Sequence, residues 1–421
     1  KVPQLGLEAV NEFAKELISD NDTSLVVTDF AQEKEGKVYP TEAQMQEAVN
    51  SVRAEKLEPY VDNAKNEPLL DEKTLPKAGK ITGEKENKQL GYKELTLSNG
   101  AKVILKHTDF KQNDILFYAT SKGGKSLYGP ADYLNLRYVN NAVSASGLGN
   151  FSNNELSKAL YGKQVSVNSS ISNYWQTLQG STTPKDLETL MQLVYLRFTG
   201  VKKDQESYDA AMQRIRLSLQ NKDLTPEAVF SDSLQVTMYG HNPRFKPTEA
   251  SDIDKINYDR MLQIYKERFA GPGQFTYYFV GNFDEAKLRP LLEKYIACLP
   301  KGKKENYKEF PMYVDGDNVN KFSRKMETPK AIAFDFYHVP MAYTLDNSVL
   351  VDAAGQVLSM VYLKQIREDA SAAYSVGASG GLSKIGSKSI ALMQDYCPMD
   401  PNKVDQATGL LVSGLKDCTE K

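Results

Sequence analysis

Apolar residues recur along this chain at two spacings, one helical and one extended, and the alternation between them predicts most of its elements. Leu7, Val10, Phe13, Ala14 and Leu17 form one stripe, so 6–19 is predicted to be helical. The β-branched run TSLVVTDF at 23–30 is predicted to be a short strand. Thr41 to Val52 is a second amphipathic helix with Thr41 as its N-cap. Helix, strand, helix is too little for a domain, because a lone strand leaves both edges unpaired. Residues 56–92 lose the periodicity and are rich in Lys, Glu, Asn and Pro. They read as an extended linker, which Tyr60, Leu69 and Leu70 could strap along a domain surface.

From Tyr92 the pattern turns globular. KELTLSNGAKVIL at 93–105 is two strands joined at Asn99-Gly100, a tight-hairpin signal. A strand at 114–121, a Gly123-Gly124 turn and a helix at 131–145 follow. That helix closes on Gly147 and Gly149. Another opens near Ser152, with Glu155 at capping-box spacing. Two strands are predicted in 163–183, then helices at 184–198, 204–220, 226–239 and 254–269, a strand at 274–283 and a helix at 284–298. Residues 301–320 read as a second, shorter linker. Beyond it lie a strand at 331–339, a long helix at 345–369, a strand and turn at 372–383, a strand at 389–396 and a final helix. The order helix, strand, helix at the start of the chain repeats the order at 258–298, so 1–55 reads as the tail of a domain of the type that ends near 300. The last domain is expected to be incomplete, and the chain as a whole reads as a piece of something longer.

Composition narrows the classes. At 421 residues the chain is too long for one core, and two or three domains are expected. Net charge is −2 from 52 basic and 54 acidic residues, which argues against a nucleic-acid surface or a polybasic membrane anchor. No run approaches the 18 or so apolar residues of a membrane span. Cys298, Cys397 and Cys418 form neither a CxxC pair nor a disulfide framework.

The phrase LSNGAKVIL, the strand, Gly-Gly turn and helix after it, QFTYYFVGNFD with LLEKYIACLP, and YLKQIREDASAAYSVGAS fall in an order that resembles the pitrilysin/insulinase-like zinc metallopeptidases over nearly the whole chain. The resemblance implies an α+β fold of repeated mixed-sheet domains with helices on one face, arranged as two halves around a chamber. In that family the active half carries H-x-x-E-H on its first helix, with a downstream Glu as third ligand. Here the helix 131–145 has no His and no Glu, only Asp132. His107, His241 and His338 are scattered and read as surface or loop residues, so no metal ligand is assigned to this chain.

The resemblance therefore implies the non-catalytic C-terminal half of such a peptidase. Its parts would be the tail of a preceding domain at 1–55, an inter-half linker at 56–92, a third domain at 93–300, a short linker at 301–320, and an incomplete fourth domain at 321–421. Zinc is expected in the missing N-terminal half, on the same chain or on a separate subunit, and this chain alone should be inactive. Its expected partners are that half and peptide substrates. The compartment stays open, although exported bacterial members make a periplasmic parent plausible. Arg367 and Tyr374 look like the family's pair that contacts bound peptide near the zinc. By spacing alone they read as a solvated helix-end charge and a half-buried strand tyrosine, and it is the resemblance that favours the peptide contact. A non-enzymatic scaffold that keeps the fold is the alternative. Two weaker signals complete the reading. Gly123-Gly124-Lys125-Ser126 resembles part of a phosphate loop but lacks its first glycine, and Trp175 with Tyr174 on the strand region 163–180 could line a peptide-facing wall.

Overall fold

The computed structural model describes residues 5–17, 25–30, 36–56, 58, 65, 67–326 and 329–420. The chain divides into two units, 1–63 and 64–421.

The first unit contains α1 (Leu7–Leu17) and α2 (Glu42–Ala54). Thr41 caps α2 in a full capping box: its hydroxyl accepts from Gln44 N–H, and the Gln44 side chain accepts from Thr41 N–H. α1 has the predicted stripe, but none of its residues is buried, and Leu7, Val10, Phe13 and Leu17 all face solvent. The strand predicted at 23–30 is not formed over 25–30, where Val26 is 83% exposed. A strand exists only through its ladder, and the described residues of this unit supply no second strand.

The second unit is built on two sheets. The first draws on β1 (Ile81–Asn87), β2 (Tyr92–Leu97), β3 (Lys102–His107) and β4 (Ile115–Lys122). Next in the chain come α3 (Tyr133–Ser144), β5 (Gly147–Leu148), α4 (Asn153–Ala159), β6 (Val165–Ile171) and β7 (Trp175–Thr182). α5 (Leu187–Thr199), β8 (Val201–Lys202), α6 (Gln205–Gln220), α7 (Pro226–Tyr239), α8 (Tyr258–Arg268), β9 (Thr276–Gly281) and α9 (Glu285–Tyr295) complete this part. Seven strands lie in the order β1-β2-β3-β9-β4-β7-β6, while β5 and β8 pair separately. All neighbours in the large sheet are antiparallel except β3 and β9, so the sheet is mixed.

Strict alternation along β4, from buried Ile115, Phe117 and Ala119 to exposed Leu116, turns one face inward. Phe117, Tyr277 and Phe279 sit there at 1% exposure or less, beneath α3, α5, α8 and α9. Burying each such ring contributes roughly 1.5–3 kcal/mol. Within 56–92, Ile81–Asn87 is an edge strand rather than linker, because its backbone pairs with β2. Leu69 and Leu70 do strap onto the core; Tyr60 lies outside the described residues.

The second sheet contains β10 (Ala331–Pro340), β11 (Gly377–Ile385) and β12 (Lys388–Met399) in the order β10-β12-β11, wholly antiparallel. α10 (Leu345–Tyr362) and α11 (Val404–Glu420) pack on one face of it, around Leu358, Tyr362, Ile366, Cys397 and Leu411. Residues 301–320 have no regular structure, but they do not float. Glu305 pairs with buried Arg268, Ser126 Oγ accepts from Lys308 N–H, and Val314 N–H donates to Met238 O. Rings from Tyr174 through Phe310, Phe245, Tyr239 and Tyr313 to Phe336 run ring to ring between the two sheets, each centroid 4.3–6.1 Å from the next.

Candidate functional site

α10 does not continue as one α-helix to residue 369. From Leu363 to Asp369 it widens into a π-helical turn, a rare form often found at functional positions. Ile366 is buried on the inner side of this turn, while Arg367 projects into solvent from the outer side. The chain then reverses at Ser371, where φ is 46°, a left-handed value that a non-glycine residue adopts only when its surroundings hold it there.

Those surroundings are visible. Ala372 N–H donates to Ile366 O at 2.9 Å, Asp400 N–H donates to Ala372 O at 3.1 Å, and Lys403 Nζ donates to the carbonyls of Ala370 and Ser371. Ala372, Ala373 and Val376 are buried beneath the loop. Tyr374 is left 86% exposed above it, with the Arg367 guanidinium 5.4 Å from its ring centroid. Arg367 and Tyr374 are thus neighbours on one anchored surface. Tyr374 is neither half-buried nor on a strand: it sits in the bend before β11, which begins at Gly377. The pair offers guanidinium N–H groups and a phenol O–H to an incoming acceptor, the donor set that recognises a peptide carbonyl or the negative charge that develops on it.

The other candidates have structural work. Asp132, the only acidic residue near the start of α3, accepts two hydrogen bonds from Arg260, which hold its carboxyl below the usual carboxylate range. The inner face of α3 is filled by Leu136, Tyr138, Val139, Ala142 and Val143. His107 packs its ring edge against Phe283, and His338 Nε2 lies 3.1 Å from Val314 O. His241 is exposed in its loop. Among the described residues no three His, Cys, Asp or Glu side chains come together as a metal site, so the groups present do not fit zinc.

In the Gly123–Ser126 loop, the N–H groups of Gly123, Gly124, Lys125 and Ser126 already donate to Tyr174 O, Gln176 Oε1, Ser172 O and Asn173 O. No phosphate nest remains. Trp175 is 38% exposed on the open sheet face, whereas Tyr174 is buried against Tyr307 and Phe310. The β6 edge is partly covered, since Arg197 donates to Val167 O and Asn140 engages both N–H and C=O of Ile171.

One arrangement was missed by motif reading. Asp335 on β10 and Asp395 on β12 are direct cross-strand partners facing the helices. The readable signal was parity: each occupies the inward position shared with Ala333 and Cys397.

The class of protein follows from comparison with known sequences and folds. Residues 255–421 match the family described as the peptidase M16 inactive domain. The chain is similar to the "Zinc protease PQQL-like" of Arabidopsis thaliana, 29% identical over 255 residues, covering 60% of this chain and 24% of that protein. It is also similar to the "Probable zinc protease PqqL" of Escherichia coli (strain K12), 26% identical over 287 residues, covering 68% of this chain and 31% of that protein. The crystal structure of the periplasmic protease PqqL from Escherichia coli superposes with a TM-score of 0.72 at 21% identity, over 99% of this chain and 45% of that one. The chain thus spans about a quarter to a third of the length of these two curated relatives. The resemblance to the pitrilysin/insulinase-like zinc metallopeptidases agrees with these findings: the fold is similar to that of such a protease, and the C-terminal part of the chain matches the inactive-domain model.

Proposed function

We propose that this chain serves as the non-catalytic C-terminal half of a zinc metallopeptidase. In this reading it helps to enclose peptide substrate and presents Arg367 and Tyr374 to a zinc site on an N-terminal half, carried on the same polypeptide or on a separate subunit. Residues 93–300, with the edge strand β1, and 321–421 act as its third and fourth domains, and the stretch from 56 to the start of β1 joins the halves. The bare apolar stripe of α1 suits packing within a preceding domain of the same type. The Escherichia coli relative described as periplasmic supports a periplasmic location.

The observation that carries the reading is the anchored loop that holds Tyr374 beside Arg367, within the segment matched by the inactive-domain family. An exposed tyrosine on a loop fixed from beneath by buried alanines and four hydrogen bonds costs little entropy when it meets a ligand. A donor aimed at a developing oxyanion stabilises it more than the ground-state carbonyl, and losing one such donor lowers turnover about 10²–10³-fold.

The test uses the full-length protein or the assembled two-subunit complex. Arg367→Ala and Tyr374→Phe are expected to lower kcat/KM on peptide substrates while zinc content stays at the wild-type level. Unchanged kcat/KM in both variants refutes the role. Absence of H-x-x-E-H from the parent chain and from any partner subunit would favour the scaffold reading instead.

A further inference from the structure

We propose that Asp335 and Asp395 share a proton and act as a pH-set latch beneath the π-helical turn that carries Arg367. In the antiparallel β10–β12 ladder the two residues are direct partners, so their carboxyl groups leave the same face of the sheet at neighbouring positions. Asp395 is 2% exposed, and its Oδ1 has no hydrogen-bond partner among the described residues. Asp335 is half-buried, and two adjacent carboxylates without a counter-ion, one of them fully buried, are strongly disfavoured; taking up one proton removes the repulsion.

The groups that face the pair come from every element around it. Tyr337 projects from β10 and Cys397 from β12, and Tyr362 reaches in from α10; Cys418, on α11, faces Tyr362. On β11 the residue opposite Asp395 is Ala378, which does not ionise. None of these groups is a cation, and among the described residues neither aspartate joins a salt bridge. Asp417 of α11 is engaged by Gln365 Nε2 at 2.9 Å. The Tyr362 hydroxyl lies within donating distance of Leu411 O, 3.0 Å away. Hydrogen bonds from the Asp335 backbone and the Tyr362 side chain favour the Asp395 carboxylate, but they do not offset its burial and the neighbouring charge. Burial, and then the charge of Asp335, push the Asp395 carboxyl up to about 7; burial also raises Asp335.

The structural link to Arg367 is short. Tyr362, 1% exposed, is the last residue of α10 before the π-helical turn, and its ring packs closely on Gly414 of α11. With the pair protonated, Tyr362 and Ile366 seat both helices on the sheet. With both carboxyls ionised, two like charges lie under that seat and draw in water. A carboxyl raised in the folded state makes the folded chain bind the extra proton between the ordinary aspartate pKa and the raised value. Stability is therefore highest at the acid end of that window and falls as pH rises through it.

The bearing on peptide handling rests on the proposed function; the latch does not, and its test needs no peptidase activity. Unfolding of the 421-residue chain is measured between about pH 4 and about pH 8 for wild type and Asp395→Asn. The ratio of folding equilibrium constants, variant over wild type, should rise with pH, by as much as about tenfold per unit across the window. A ratio independent of pH overturns the proposal. Asp335→Asn, at the more exposed partner, should show the same trend. Infrared spectra of the unsubstituted chain give a reading that does not depend on any variant folding. A protonated-carboxyl band at about pH 6 that disappears by about pH 9 is expected, and its absence overturns the proposal. Magnesium or calcium that stabilises wild type but not Asp395→Asn would assign the pair to a metal cation and overturn the shared proton.

Discussion

Replacing Gly355 by alanine tests how α10 is seated on its sheet. Here helix and strand meet backbone to backbone. A Cβ at Gly355 would lie 2.1 Å from Gly380 N and 2.7 Å from the carbonyl carbon of Ser379, and a Cβ at Gly380 would lie 2.1 Å from Val351 O. Two terms oppose each other. Helix propensity favours alanine over glycine by about 1 kcal/mol. Against it, non-bonded heavy atoms rest at about 3.5 Å, so the new methyl must force α10 and β11 apart by more than about 1 Å. The obstruction is main chain, so no rotamer change relieves it.

Overpacking costs about 1–3 kcal/mol, and occasionally more, and this site belongs at the upper end. The forced separation also loosens Leu358, Tyr362 and Ile366, each at 1% exposure or less. The expected net loss is about 2 kcal/mol. Gly409, inside α11 with nothing within 4 Å of its would-be Cβ, is the control. There the same substitution should stabilise by about 1 kcal/mol. Urea unfolding followed by circular dichroism gives both shifts, converted with a shared m-value. A Gly355→Ala midpoint at or above wild type would refute the close seating, whatever the control does.

Two further outcomes follow from charged contacts around the first sheet. Arg268, 7% exposed, donates to Glu305 at 2.7 Å and to the Tyr128 hydroxyl at 2.9 Å, so Arg268→Met should cost about 3 kcal/mol, while a change under about 1 kcal/mol in denaturant unfolding would contradict the argument. The hydrogen bonds from Arg260 depress the Asp132 carboxyl, so their contribution is full above the ordinary carboxylate value of about 4 and is lost as pH falls through the lower folded value. Arg260→Gln should flatten the acid limb of stability against pH, and a curve parallel to wild type would count against it.

Much of the architecture was legible because it is local. Asn99-Gly100 requires a tight turn, and Gly100 has φ 93° between β2 and β3. Thr41 announced an N-cap and Ser152 a capping box, and both form, since the partners lie within three residues; Gln44 completes a box at Thr41 as well. The loss of His and Glu from the 131–145 helix was equally plain, and with the family resemblance it pointed to the non-catalytic half. What failed or went unseen depends on partners distant in sequence. TSLVVTDF has strand chemistry, yet residues 25–30 have no ladder among the described residues. Ile81–Asn87 looks like linker and becomes a strand because β2 lies beside it. The placement of β9 between β3 and β4 joins residues more than 150 positions apart, which no local period encodes.

The functional surface divides in the same way. The residue types Arg367 and Tyr374, their separation and their likeness to a family pair belong to the sequence alone. That they stand side by side in solvent on a loop pinned through Ala372, Asp400 and Lys403 was decided by tertiary structure. The meeting of Asp335 and Asp395 across β10 and β12 was decided there too, because the pairing register of two strands some 60 residues apart is set by the packing of α10 and α11 on one face. Local chemistry selects the elements; burial shared between distant segments selects which side chains meet.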